Sequence, residues 1–148
     1  MTPRDGASRD IDIRTGDWVA LREDAARVRQ AVFVIEQGIP AALEWDGQDE
    51  ASIHAVAYRD GRAVGTARLL PDAHIGRMAV LDEERRDGVG GRLLQRLLQI
   101  AAGRGDRAVE LSAQSYVCPF YARHGFEAVG DEYLEVGITH RRMVRRLA

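Results

Sequence analysis

Two short stretches of this 148-residue chain carry residue types and spacings that could do chemistry. The first is Arg85-Arg86-Asp87-Gly88-Val89-Gly90-Gly91, lying between an apolar run that ends Met78-Ala79-Val80-Leu81 and a leucine-rich run of helical period. The opening turn of a helix has N–H groups without intrahelical partners, together carrying about half a positive charge, and glycines let an anion approach them closely. Arg85 and Arg86 add local positive charge, so a diphosphate fits this turn. The plainer reading is that Gly88, Gly90 and Gly91 only permit a tight strand-to-helix turn. The second stretch, Phe120-Tyr121-Ala122-Arg123-His124-Gly125-Phe126, presents a tyrosine between aromatic neighbours, and taken alone it reads as a ring in the core wall.

Groups able to accept a proton are scattered, and several remain open. Glu36 ends an amphipathic helix, and His54 alternates with apolar residues on a strand. Glu110, Ser112 and Gln114 share one side of their strand, while Glu135 and His140 lie in the last hairpin. Each has an ordinary reading as a solvated acid or a satisfied strand histidine. His74 and His124 read as turn or surface residues. Cys118 is the only cysteine, which excludes an internal disulfide, and no histidine is placed by sequence to activate it as a nucleophile. The four histidines are not spaced like a zinc cluster, so no metal is expected.

Other phosphate-binding folds do not match. A dinucleotide-binding unit requires its three spaced glycines directly after a first parallel strand, and a P-loop requires Gly-Lys-Ser or Gly-Lys-Thr, which the chain lacks. The formal net charge of -2 comes from interspersed acids and arginines, so no general attraction to nucleic acid or a membrane surface follows. No apolar run approaches the roughly 20 residues needed to span a bilayer, and the N-terminus lacks a signal-peptide core. Together with cysteine usage, this predicts a cytoplasmic protein.

The elements that must position these residues follow from periodicity. Residues 1–10 read as a frayed polar tail, and 11–148 as a single domain. Ile11 to Thr15 alternates as a strand, then Trp18, Leu21, Ala25, Val28, Val32 and Ile35 form one helical stripe, with Thr15 or Asp17 as cap. Gly38-Ile39-Pro40 ends that helix, and 41–50 reads as an acidic surface loop. Two strands, Ile53 to Tyr58 and Ala63 to Leu70, join through Asp60-Gly61, and Ile75 to Leu81 makes a third in an antiparallel meander. The Leu93 to Ala101 helix, a strand from Ala108 to Ala113, a short helix from Pro119 to Arg123 and strands Phe126 to Val129 and Ile138 to Val144 complete an α+β pattern.

With Arg85-x-x-Gly88-x-Gly90 following Met78-Ala79-Val80 and Phe120-Tyr121-x-x-x-Gly125-Phe126 downstream, the chain resembles the GNAT (N-acetyltransferase) superfamily from Ile11 onward. Val32-Phe33-Val34-Ile35-Glu36-Gln37, Ala113-Gln114 and Glu135-Val136-Gly137-Ile138-Thr139-His140 resemble its ElaA-like branch. Thr139 stands where that branch more often has Pro, and Ser112 where it has His. The resemblance implies a mainly antiparallel, twisted mixed sheet with helices on both faces, splayed into a coenzyme A cleft where the Met78 strand parts from the Ala108 strand. It implies that Met78, Ala79 and Val80 pair with the pantetheine arm. It implies further that the turn at Arg85, Arg86, Asp87, Gly88, Val89, Gly90 and Gly91 holds the pyrophosphate.

In the same resemblance Tyr121 faces the coenzyme sulfur as general acid, and Glu36, His54, Gln114 and His140 line the pocket, the base being open among them. The implied activity is direct transfer of acetyl from acetyl-CoA to a primary amine in a ternary complex, a small molecule being the favoured acceptor. The alternatives are a non-catalytic acyl-CoA sensor, a plain interaction module, and transfer to a protein N-terminus or lysine drawn in by Glu44, Asp46, Asp49 and Glu50. The expected partners are acetyl-CoA and the amine acceptor, without nucleic acid or membrane, and the family makes a homodimer an expectation by resemblance.

Overall fold

A computed structural model describes residues 10–147; the tail expected over 1–10 lies outside these except for Asp10. The described elements are β1 (Asp12–Gly16), α1 (Trp18–Arg29), a π-helical continuation (Gln30–Glu36), α2 (Ala41–Glu44), β2 (Ile53–Arg59), β3 (Arg62–Leu69), β4 (Ile75–Val80), α3 (Val89–Gly103), β5 (Ala108–Gln114), α4 (Cys118–Arg123), β6 (Glu127–Glu135) and β7 (Ile138–Arg146). No helix among them is long and apolar enough to cross a membrane.

Strands β1-β2-β3-β4 form one antiparallel sheet and β5-β7-β6 a second. Asp60 and Gly61, at φ 53° and 79°, make the left-handed turn that an Asp-Gly pair favours, closing the β2–β3 hairpin. The two sheets meet where β4 and β5 run side by side in parallel. Among the described residues they are joined by one isolated parallel bridge, between His74 just before β4 and Glu110, reinforced by a 3.0 Å contact between the two side chains. Beyond it, toward Val80 and Gln114, no further pairing joins the two strands among the described residues.

Helices cover both faces of the first sheet. From α1, Trp18, Leu21, Ala25 and Val28 pack on Val56 and Tyr58, with Asp17 capping the helix by accepting the Ala20 amide at 2.9 Å. From α3, Val89, Leu93, Leu94 and Leu97 are wholly buried against Ala55, Val64 and Leu69 on the opposite face. Each such leucine contributes about 1.5–3 kcal/mol by leaving water, which seats α3 firmly with its N-terminus at the cleft.

Three expectations are corrected. Ile35 is 73% exposed, because the π-helical turn widens the helix and rotates it off the stripe that Trp18 to Val32 share. Strand β6 runs to Glu135 rather than Val129, continuing through a bulge between Val129 and Tyr133. The segment 41–50 is not a solvated loop: it carries α2, and Glu44 and Asp49 are buried in ion pairs with Arg29.

Candidate functional site

The glycine turn folds because Gly88 adopts φ 77°, the left-handed conformation that costs glycine little, and so reverses the chain into α3. The first helical bond of α3 runs from the Arg92 amide to the Gly88 carbonyl at 3.1 Å, and no side chain caps the helix. The amides of Val89, Gly90 and Gly91 therefore have neither an intrahelical nor a capping acceptor, which makes an anion cradle. A Cβ at Gly90 would lie 3.4 Å from the Phe120 ring and one at Gly91 3.2 Å from His124. The glycines thus let α3 pack on α4 and leave the amides uncovered. The loop ahead of the turn is pinned by Arg59, which donates to Glu84 at 2.8 Å and to Asp87 at 3.0 Å.

The two arginines of the turn differ. Arg85 binds Glu36 through both terminal nitrogens, at 2.6 and 2.7 Å, and donates Nε to the Val80 carbonyl at 2.9 Å. Its charge is therefore paired with Glu36 within the protein. Arg86 has no ion pair among the described residues. Glu36 is corrected as a candidate base for the same reason. The Arg85 hydrogen bond holds its carboxyl below the usual range, so it accepts a proton poorly.

Strand β4 carries a feature the sequence did not signal. Thr66 faces Ala79 and Arg68 faces Gly76, so β4 has one residue more than β3 over this stretch; Arg77, at φ 48°, and Met78 have no partner in the register. This bulge re-aims the backbone at the point where β4 leaves β5. Across the gap, the Tyr121 hydroxyl lies 3.7 Å from the Met78 sulfur. Tyr121 is buried between Phe120 and Phe126, in edge-on contact with both rings, and burial pushes its phenol well above the ordinary value. It remains a protonated donor at any working pH.

The β5-β7-β6 sheet gathers a second group of polar side chains. Gln114, His140 and Tyr133 lie in one row of the register and so project from the same face. Ser112 contacts the Tyr133 hydroxyl and donates to Glu135 at 3.3 Å. His140 places Nδ1 2.7 Å from the Ile138 carbonyl oxygen. A carbonyl only accepts, so a ring proton is assigned to Nδ1, and Nε2 lies 3.9 Å from a Glu135 oxygen. Gln114 exchanges amide hydrogen bonds with Gln37, at 3.0 and 3.4 Å, across to the end of the π-helical stretch. Periodicity could not find Gln37 or Tyr133, because they reach this place through a π-turn and a β-bulge.

His54 stands apart from these groups and is corrected as an open pocket residue. It is 1% exposed, packs at a tilt against the Trp18 ring with centroids 4.8 Å apart, and places Nε2 2.9 Å from the Asp49 carbonyl oxygen. Burial lowers its pKa and keeps it neutral. Around it, Asp49 takes a bidentate pair from Arg29 and a 2.9 Å bond from Arg68, while Glu44 pairs with Arg29 and Arg77. Arg29 also lies over Trp18 and Trp45. Three of the four acids expected to attract a cationic acceptor are thus spent on internal arginines; burial is the largest single influence on the Asp46 carboxyl and raises it, but the hydrogen bonds from Arg68 and the Gln48 amide and the charges of Arg68 and Arg77 together outweigh it and bring the pKa to about 2. Among the described residues no cluster of His, Cys, Asp or Glu is arranged to hold a metal ion.

Parallel strands bridged at one point, with an uncapped glycine-rich helix start beside them, match the arrangement that the acetyltransferase resemblance implies. The comparisons agree. The acetyltransferase (GNAT) domain family matches residues 21–147. The uncharacterized N-acetyltransferase YjcF of Bacillus subtilis is 37% identical over 127 residues, covering 83% of this chain and 91% of that protein. An acyl-CoA N-acyltransferase structure from Pseudomonas aeruginosa is 34% identical with a TM-score of 0.82, covering 92% of this chain and 99% of the other. Escherichia coli ElaA is 29% identical with a TM-score of 0.83, covering 93% of this chain and 100% of the other. The chain belongs to the GNAT acetyltransferase family and is an N-acetyltransferase.

Proposed function

We propose that this enzyme moves an acetyl group from acetyl-CoA to a small primary amine, by direct attack in a ternary complex. The observation that carries the proposal is the set of free amides at Val89, Gly90 and Gly91, beside the widening gap between β4 and β5. The residues present fit the coenzyme. The amides and Arg86 receive the pyrophosphate, and the Arg85, Asp87 and Gly88 segment shapes the approach to them. Met78 and Ala79 offer a strand edge to the pantetheine amides, with Val80, whose carbonyl Arg85 already binds, at its end.

In the reaction, the amine nitrogen forms a bond to the thioester carbonyl carbon and the carbon–sulfur bond breaks. The backbone freed by the Arg77–Met78 bulge lies where it can donate to the developing oxyanion. The ammonium proton passes to Nε2 of His140, a reading supported by the Nδ1 bond to the Ile138 carbonyl, which leaves Nε2 as the other ring nitrogen, and by Tyr133 and Glu135 beside it. Tyr121 donates a hydrogen bond to the departing sulfur. Its raised pKa makes it a weak acid in isolation, and the transfer becomes favourable as a thiolate forms in the same dry pocket and is made more basic by the same desolvation. The internal pairing of Glu44, Asp46 and Asp49 leaves little to recruit a basic protein segment and favours the small acceptor.

The test is release of free thiol from acetyl-CoA on addition of a panel of small primary amines. The chain has no lysine, so acetyl cannot be lost to its own ε-amines. Thiol release that saturates with one or more amines supports the proposal. Coenzyme binding without release on any of them replaces it with an acyl-CoA sensor.

A further inference from the structure

Helix α1 does not stop at Arg29 but runs on as a π-helical turn whose last residue is Glu36. Consecutive side chains on a helix project about 100° apart, so neighbours at its end can reach in different directions. Here they reach opposite banks of the same gap. Glu36 is held by Arg85, in the loop that leaves β4, through the two-bonded pair at 2.6 and 2.7 Å. Gln37 is held by Gln114, the last residue of β5, through the reciprocal amide pair. Strands β4 and β5 are the pair that separate beyond His74 and Glu110. Two adjacent residues therefore span the opening, one tied to each side.

The span is itself locked. The Gln37 amide bonds to the Val32 carbonyl at 3.0 Å and the Ile39 amide to that of Phe33 at 2.9 Å, and Gly38 turns the chain away at φ 73°. The bonds differ in kind. The Glu36–Arg85 pair is about two-fifths exposed, and screening keeps exposed pairs weak, near 0–1 kcal/mol, so its value is geometric. Arg85 also bonds the Val80 carbonyl and sits directly ahead of the free amides, so movement of that turn pulls on Glu36.

We infer that Glu36 and Gln37 are positioning residues, a two-legged strap that sets the width of the β4–β5 opening and couples the glycine turn to the wall the acceptor passes. The inference rests on the proposed coenzyme site for its coupling, and on geometry alone for the strap. Neither residue takes part in proton transfer.

Hydrogen exchange of the Gln37, Gly38 and Ile39 amides tests both parts, on the full chain with coenzyme A as probe. Without coenzyme, Glu36→Gln and Gln114→Ala should each speed exchange at these amides while leaving the buried Leu93 to Leu98 amides unchanged. Unchanged exchange in both variants overturns the strap, whether or not coenzyme binds. With saturating coenzyme A, the wild type should slow exchange there by about fivefold or more, and Glu36→Gln should abolish that slowing while coenzyme affinity shifts by less than about threefold. Slowing that persists in Glu36→Gln overturns the coupling. A wild type that fails to bind coenzyme in calorimetry overturns the coenzyme reading and the coupling, and leaves the strap to the first comparison. A Glu36→Gln protein that exchanges faster throughout is replaced by Glu36→Asp, which keeps the charge and must restore the slowing for the coupling to stand.

Discussion

The Tyr121 hydroxyl stands 3.7 Å from the Met78 sulfur, joining the helix of the second motif to the bulged strand that precedes the first. The ring is buried and its hydroxyl has no stronger acceptor among the described residues, so removing the oxygen leaves packing intact. Tyr121→Phe should lower kcat by about 100-fold with coenzyme affinity unchanged, since general-acid contributions run about 10²–10⁴. Stopped assays of thiol release and a calorimetric Kd on the same preparation check the two halves.

His140 is fixed as an Nδ1–H tautomer by the Ile138 carbonyl, leaving Nε2 to accept. His140→Asn should cost about 100-fold or more in kcat, and Glu135→Gln, which touches the ring only at 3.9 Å, about tenfold or less. Measuring kcat for both at saturating amine separates the roles; equal small losses would exclude His140 as the base.

Asp49 faces two buried arginines, Arg29 and Arg68, and is itself 4% exposed. Asp49→Asn leaves those cations against each other, which should cost about 3–5 kcal/mol and lower Tm by roughly 10 °C. Differential scanning calorimetry reads this directly.

His54 gives a pH dependence of known sign. Burial places its folded pKa below the ordinary 6.5, so the unfolded chain binds the proton more tightly. Its contribution to stability is complete above pH 6.5 and is lost as pH falls below that value. His54→Asn should flatten this limb, measured as Tm against pH between 7 and about 5, while the acid limb of Asp46, which lies below its ordinary 3.8 and runs down to about 2, persists when the scan is carried on to lower pH.

Sequence reading placed the meander, the α3 stripe and the glycine turn because each has a local cause: strand alternation, leucines at helical spacing, and glycine where φ must be positive. It located Tyr121 and His140 by motif but could not say what surrounds them. It misread Ile35 because a π-turn keeps the apolar composition of an α-turn while changing its phase. It misread 41–50 because acids in a short irregular segment look solvated until Arg29 and Arg68 are known to lie beneath them. The Arg77 bulge left no trace, since nothing about arginine announces a positive φ. Of the two arginines read as local positive charge, Arg85 is paired with a residue 49 positions away, which no local pattern shows.

The central claim is that the free amides of Val89, Gly90 and Gly91 receive the coenzyme pyrophosphate. Calorimetric titration of the wild type and Gly88→Asp with acetyl-CoA tests it most directly. Space around Gly88 is open and aspartate tolerates its left-handed backbone better than most residues, so the fold is kept while a carboxylate is set beside the amides. The account predicts saturable wild-type binding weakened at least about tenfold in the variant, with Tm close to wild type. Equal affinity in the two proteins, or no binding to the wild type, would contradict it.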